Sequence, residues 1–130
     1  MLNPGKYGEF LVLAELLKMD IEAYQAVKIN QEDYDITVVR SVSEVIRIQV
    51  KTTELQNSST NNAISNVDKN YDILVIVIVE PSNVRMFVLT KDEVLRVKTS
   101  GNQIYTTEKP SGTVGIRQNL IQYENQWQKI

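Results

Sequence analysis

The sequence predicts an α/β fold, a mixed β-sheet flanked by helices, and three stretches carry that prediction. Residues 71–79 are a β-branched run, too short for a helix and too apolar for an edge, so they read as a central strand covered on both faces. Residues 46–51 alternate strictly, with Ile46, Ile48 and Val50 on one face and Arg47, Gln49 and Lys51 on the other. Residues 5–19 space their apolar side chains as a helix does.

In the first helix, Asn3 is the N-cap and Pro4 fits the first turn, where its missing N–H costs nothing. Phe10, Leu13, Ala14 and Leu17 form the expected buried stripe, widened by Leu11, Val12 and Leu16. Gly8 lies inside this helix at a cost of about 1 kcal/mol relative to Ala, which points to close approach by a sheet or a ligand. Strands over 22–29, 34–40 and 45–51, separated by turns at 30–33 and 41–44, read as an antiparallel meander. Residues 56–66 are polar and read as a loop or the start of a weak helix. After the central strand, Pro81 is a stop, 84–89 is another strand, and Thr90-Lys91-Asp92-Glu93 is a capping box opening a helix towards Val97. A turn at 100–102, a strand at 104–107, a loop at 110–115 and a closing helix at 120–127 complete one domain spanning 1–130.

The chain has no Cys and no His. Disulfides, thiol chemistry, structural zinc and imidazole catalysis are excluded within one chain, and any metal must be a hard ion on oxygen ligands: magnesium, manganese or calcium. No apolar run approaches the roughly 20 residues of a membrane span, and Glu9 and Glu15 interrupt the N-terminal one, so a soluble intracellular protein with no membrane partner is expected. The net charge of −2 does not favour a nucleic-acid binder, although a local basic face in a near-neutral domain suffices.

Four residues stand out chemically. Asp35 opens a strand and is either a turn acid or a metal ligand on a rigid element. Gln49 and Lys51 share a face: a Gln oxygen can ligate a hard cation and a lysine can activate water or stabilise phosphate charge, or both simply face solvent. Glu9 borders the helix's buried stripe, either as a surface acid or aimed back towards the sheet. Asp72 is a weaker candidate, at the start of the central strand.

Gly5-Lys6-Tyr7-Gly8-Glu9, Tyr34-Asp35, Gln49-Val50-Lys51 and Tyr71-Asp72-Ile73-Leu74-Val75, in that order, resemble the PD-(D/E)XK nuclease superfamily over roughly the first 80 residues. The resemblance implies a restriction-endonuclease-like core in the order α-β-β-β-α-β and a Mg²⁺-dependent DNA endonuclease, with Mn²⁺ as substitute. Glu9 and Asp35 would bind metal, Gln49 would stand where Asp or Glu is usual, the Val50 carbonyl would add a ligand, and Lys51 would be the catalytic lysine. Two departures are the missing proline before Asp35 and Gln49 itself, which also occurs in active members such as some intron-encoded homing endonucleases.

Arg47, Lys6, Lys28, Lys69 and Arg85 are the candidates for phosphate contacts, and Arg47 is the best because alternation puts it beside Gln49 and Lys51. The polar segment 56–66 is either a groove-reading element, since Asn and Gln can read adenine edges, or a linker. Cutting both strands of a duplex needs two sites, so a homodimer or higher homo-oligomer is expected. The alternative is a non-catalytic nucleic-acid-binding or assembly module retaining the fold.

Overall fold

The computed structural model describes residues 3–26, 33–55, 62–108 and 115–130. Helix α1 (Pro4–Lys18) starts where expected: the Asn3 side chain accepts from the Lys6 N–H, and Pro4 occupies the first turn. The meander follows as β1 (Ala23–Gln25), β2 (Ile36–Ser41) and β3 (Glu44–Glu54), each antiparallel to the next. β1 ends at Gln25, with 27–29 of its expected range outside the described residues; β2 starts two residues later than the sequence implied, and β3 runs three residues past Lys51 to Glu54. β5 (Ile73–Glu80) lies parallel to β3 and antiparallel to β6 (Asn83–Thr90), giving a mixed sheet in the order β1-β2-β3-β5-β6.

The sheet's period-2 alternation divides the interior into two cores. On one face, Val12 and Leu16 of α1 pack with Ile36, Val38, Ile46, Ile48, Val50, Ile73, Val75 and Val77. On the other, Leu74, Ile76, Ile78, Phe87 and Leu89 meet Val94 of α2 (Lys91–Val97) and Leu120 and Tyr123 of the C-terminal segment. The Thr90–Glu93 capping box that opens α2 is reciprocal, with Thr90 Oγ1 accepting from the Glu93 N–H and Glu93 Oε1 from the Thr90 N–H. The β-branched run 73–78 is buried throughout because both layers close on it.

Three expectations need correction. Between β3 and β5 the family order implies a helix; residues 62–72 instead carry the short strand β4 (Ala63–Ser65), paired with β7 (Gln103–Tyr105), and 56–61 lie outside the described residues. The closing segment is two 3₁₀ turns, Gln118–Tyr123 and Trp127–Lys129, not an α-helix. Between them Glu124 turns extended to bridge Phe87 and Asn125 takes φ 55°, a left-handed value that breaks helical propagation. The short strands β8 (Thr107–Glu108) and β9 (Gly115–Ile116) pair just before this segment.

The third correction concerns α1. Its sheet-facing side is Gly8, Glu9, Val12 and Leu16, whereas Phe10 and Leu17, expected inside, are 53% and 54% exposed. Gly8 decides the rotation: without a side chain it lets the helix axis settle onto β3 at Thr52.

Candidate metal and phosphodiester site

Asp35 lies one residue before β2, its N–H donating to the Ile48 carbonyl and its own carbonyl accepting from the Ala26 N–H. Backbone pairing with β3 therefore fixes the side chain before any side-chain contact is made. Asp35 Oδ2 accepts from the Val50 N–H and from Gln49 Nε2, both at 2.8 Å. The Gln49 amide also lies 3.4 Å from the Val50 carbonyl oxygen. Asp35, Gln49 and the Val50 carbonyl are thus one buried cluster, with both side chains 7% exposed.

One atom in this cluster is unsatisfied. Gln49 Oε1 is buried with no hydrogen-bond partner, a state that costs about 1–3 kcal/mol. A buried amide oxygen and a buried carboxylate are donors that a hard cation takes, but Gln49 Nε2 is the atom that faces Asp35 and the Val50 carbonyl, so these residues fit Mg²⁺ or Mn²⁺ once the amide turns to present Oε1. Among the described residues, no group of three or more Asp or Glu side chains is placed to hold a metal. An ion here would depend on amide and carbonyl oxygens as much as on carboxylates.

Lys51, two residues along the same face, is half-buried. Burial first, then the nearby Lys69 charge, hold its ammonium below the usual value of 10.5, against the opposing pull of Asp35. Glu9 is delivered by α1, which packs on the Ile48 and Val50 side of β3, whereas Gln49 and Lys51 emerge on the opposite side. Glu9 is 9% exposed, and its carboxylate meets Lys6 Nζ at 3.1 Å.

The phosphate candidates fare differently. Arg47 does share its face with Gln49 and Lys51, but Asp72 holds it: Oδ2 accepts from the Arg47 backbone N–H at 2.9 Å, and the guanidinium lies 3.4 Å from both carboxylate oxygens. The Tyr34 ring sits 5.9 Å beneath it. Asp72 is therefore a clamp on β3. Arg85 is two strands away and bonded to both Glu124 oxygens at 2.7 Å, with Glu80 at 3.7 Å. Lys6 pairs with Glu9, Lys69 reaches Lys51 through its field, and Lys28 lies outside the described residues.

No helix among the described residues is long and apolar enough to cross a membrane. No protein-family model matches the chain, and no curated protein matches it. Among solved structures, the chain matches a bacterial homing endonuclease, I-Ssp6803I, with a TM-score of 0.69 at 17% identity. The match covers 97% of this chain and 87% of that one. The chain therefore has an α/β restriction-endonuclease-like fold, a mixed sheet flanked by helices, in common with that endonuclease.

Proposed function

We propose that this protein acts on DNA as a metal-dependent endonuclease, and the observation that carries the proposal is the buried Asp35–Gln49–Val50 cluster beside Lys51. Asp35, Gln49 Oε1 and the Val50 carbonyl would hold Mg²⁺, and Glu9 is left out of the set because α1 delivers it on the other side of β3. The bound ion would supply charge neutralisation at the phosphate and a more acidic water. Lys51 does the remaining work: its lowered proton affinity lets it take a proton from the attacking water, and its protonated form stabilises charge on the phosphorane. The DNA partner rests on the fold likeness to a homing endonuclease together with this chemistry.

A second reading is a non-catalytic nucleic-acid-binding or assembly module of the same fold. The fold likeness supports this reading better than it supports the enzyme, because no group of three or more carboxylates among the described residues is placed to hold a metal. One experiment separates the two: incubation with supercoiled and branched DNA in Mg²⁺ or Mn²⁺, comparing the native chain with Lys51→Ala and Asp35→Asn. Cleavage by the native chain that both variants lose supports the enzyme. Binding without cleavage, unchanged in either variant, supports the module.

A further inference from the structure

Helix α1 is apolar on two sides. Gly8, Val12 and Leu16 face the sheet, while Tyr7, Phe10, Ala14 and Leu17 run along the outside, with Tyr7, Phe10 and Leu17 43%, 53% and 54% exposed. The outer residues recur at intervals of three, four and three, the a/d spacing of a helix that packs against another helix. A helix apolar all round belongs in an interior, yet none of the described elements covers this side.

We propose that the outer stripe of α1 is a docking surface for a second copy of this chain, the two α1 helices crossing antiparallel about a two-fold axis between Phe10 and Ala14. A stripe along one helix is self-complementary under such an axis, as an isologous interface requires. Aromatic side chains present about 150–250 Å² each, so the exposed parts of Tyr7, Phe10 and Leu17, with Ala14 and the partly exposed Leu11 and Leu13, amount to about 400 Å² per copy. That is about half the ~800 Å² per partner of a standard interface, which sets the dimer as reversible and concentration-dependent. The flanking Lys6 and Lys18 keep the rim solvated. The proposal does not rest on the nuclease reading, since a binding module would dimerise equally.

The absence of cysteine makes the test clean. Sedimentation equilibrium of the native chain from low to high micromolar concentration should show mass rising from 14.9 kDa towards twice that value, and Phe10→Glu and Leu17→Lys should hold it at the monomer. Ala14→Cys should be trapped as a dimer by a short bis-maleimide, while Val42→Cys, fully exposed on the β2–β3 turn, should not. Matching circular dichroism and melting curves guard against misfolded variants. A native chain that stays monomeric throughout, or equal crosslinking through both cysteines, overturns the proposal. Loss of DNA binding in Phe10→Glu without any change in mass would assign the stripe to nucleic acid and overturn it too.

Discussion

Replacing Gly8 with alanine tests how α1 is seated on the sheet. In an exposed helix this change would stabilise by about 1 kcal/mol. Here an ideal Cβ at Gly8 would stand 1.8 Å from Thr52 Oγ1, 2.9 Å from Thr52 Cβ and 3.2 Å from Thr52 Cγ2. Ordinary contact requires about 3.5 Å, so helix and strand must part by well over 1 Å or the stiff Thr52 side chain must leave its rotamer. Overpacking of that kind costs about 1–3 kcal/mol, leaving a net loss of up to about 2 kcal/mol once the helix gain is counted. For a chain of this length that lowers Tm by up to about 8 °C. Thr52→Ala removes the two γ atoms, and Thr52 Oγ1 is buried without a partner, so that variant alone should be close to neutral. In its background Gly8→Ala should lose less than half as much, read by urea unfolding of the full double-mutant cycle. A Gly8→Ala chain that melts above the native one would refute the close-approach argument, and with it the account of why α1 presents Phe10 and Leu17 to solvent.

Other outcomes follow from the site and its supports. Gln49→Glu places a second carboxylate against Asp35, so the metal-free protein should lose stability near neutral pH while Mg²⁺ affinity tightens on the order of tenfold; equal calorimetric affinities for both forms would remove Gln49 from the ligand set. If Lys51 accepts the proton, cleavage should rise with pH through its lowered pKa, and Lys69→Gln should move that limb to higher pH; an unmoved profile would separate Lys69 from Lys51. Glu124, held by Arg85, lies below the usual 4.5, and so does Glu93, whose burial works upward but is outweighed by its bonds to Lys129 and Thr90. Because both folded pKa values are depressed, the stability they contribute is complete above about pH 4.5 and disappears as pH falls through the folded values. Glu124→Gln should therefore flatten the acid limb of a stability–pH curve, and an unchanged slope would contradict that linkage.

Local pattern made part of this molecule legible. Alternation in 46–51 assigned Gln49 and Lys51 to one face, the β-branched run assigned β5 to the centre, and Thr90–Glu93 assigned the start of α2. A glycine inside a helix announced a close approach, and Gly8 makes one. The rotation of α1 was not legible, because apolar residues on two sides give no unique stripe and only the contact with Thr52 chooses between them. The Arg47–Asp72 clamp was equally hidden, since it joins residues 25 apart that only the parallel pairing of β3 with β5 brings together. The 3₁₀ ending depends on the bridge from Glu124 to Phe87, a tertiary contact that overrides the local helical pattern.

That bridge also bears on how the molecule avoids polymerising. β6 is eight residues long and terminates the five-stranded sheet, so its outer backbone groups would invite strand addition from another molecule. Glu124 pairs with Phe87 on that border, the Asn125 N–H donates to the Met86 carbonyl, and Arg85 grips Glu124 from the strand itself. Lys129 adds a bond to the Val88 carbonyl further along. Among the described residues the opposite border is β1, three residues long and too short to template a partner strand. The C-terminal turns therefore work as a guard rail along the one border long enough to seed fibres, and a chain cut before Gln118 should form thioflavin-positive aggregates under conditions in which the intact chain stays in solution.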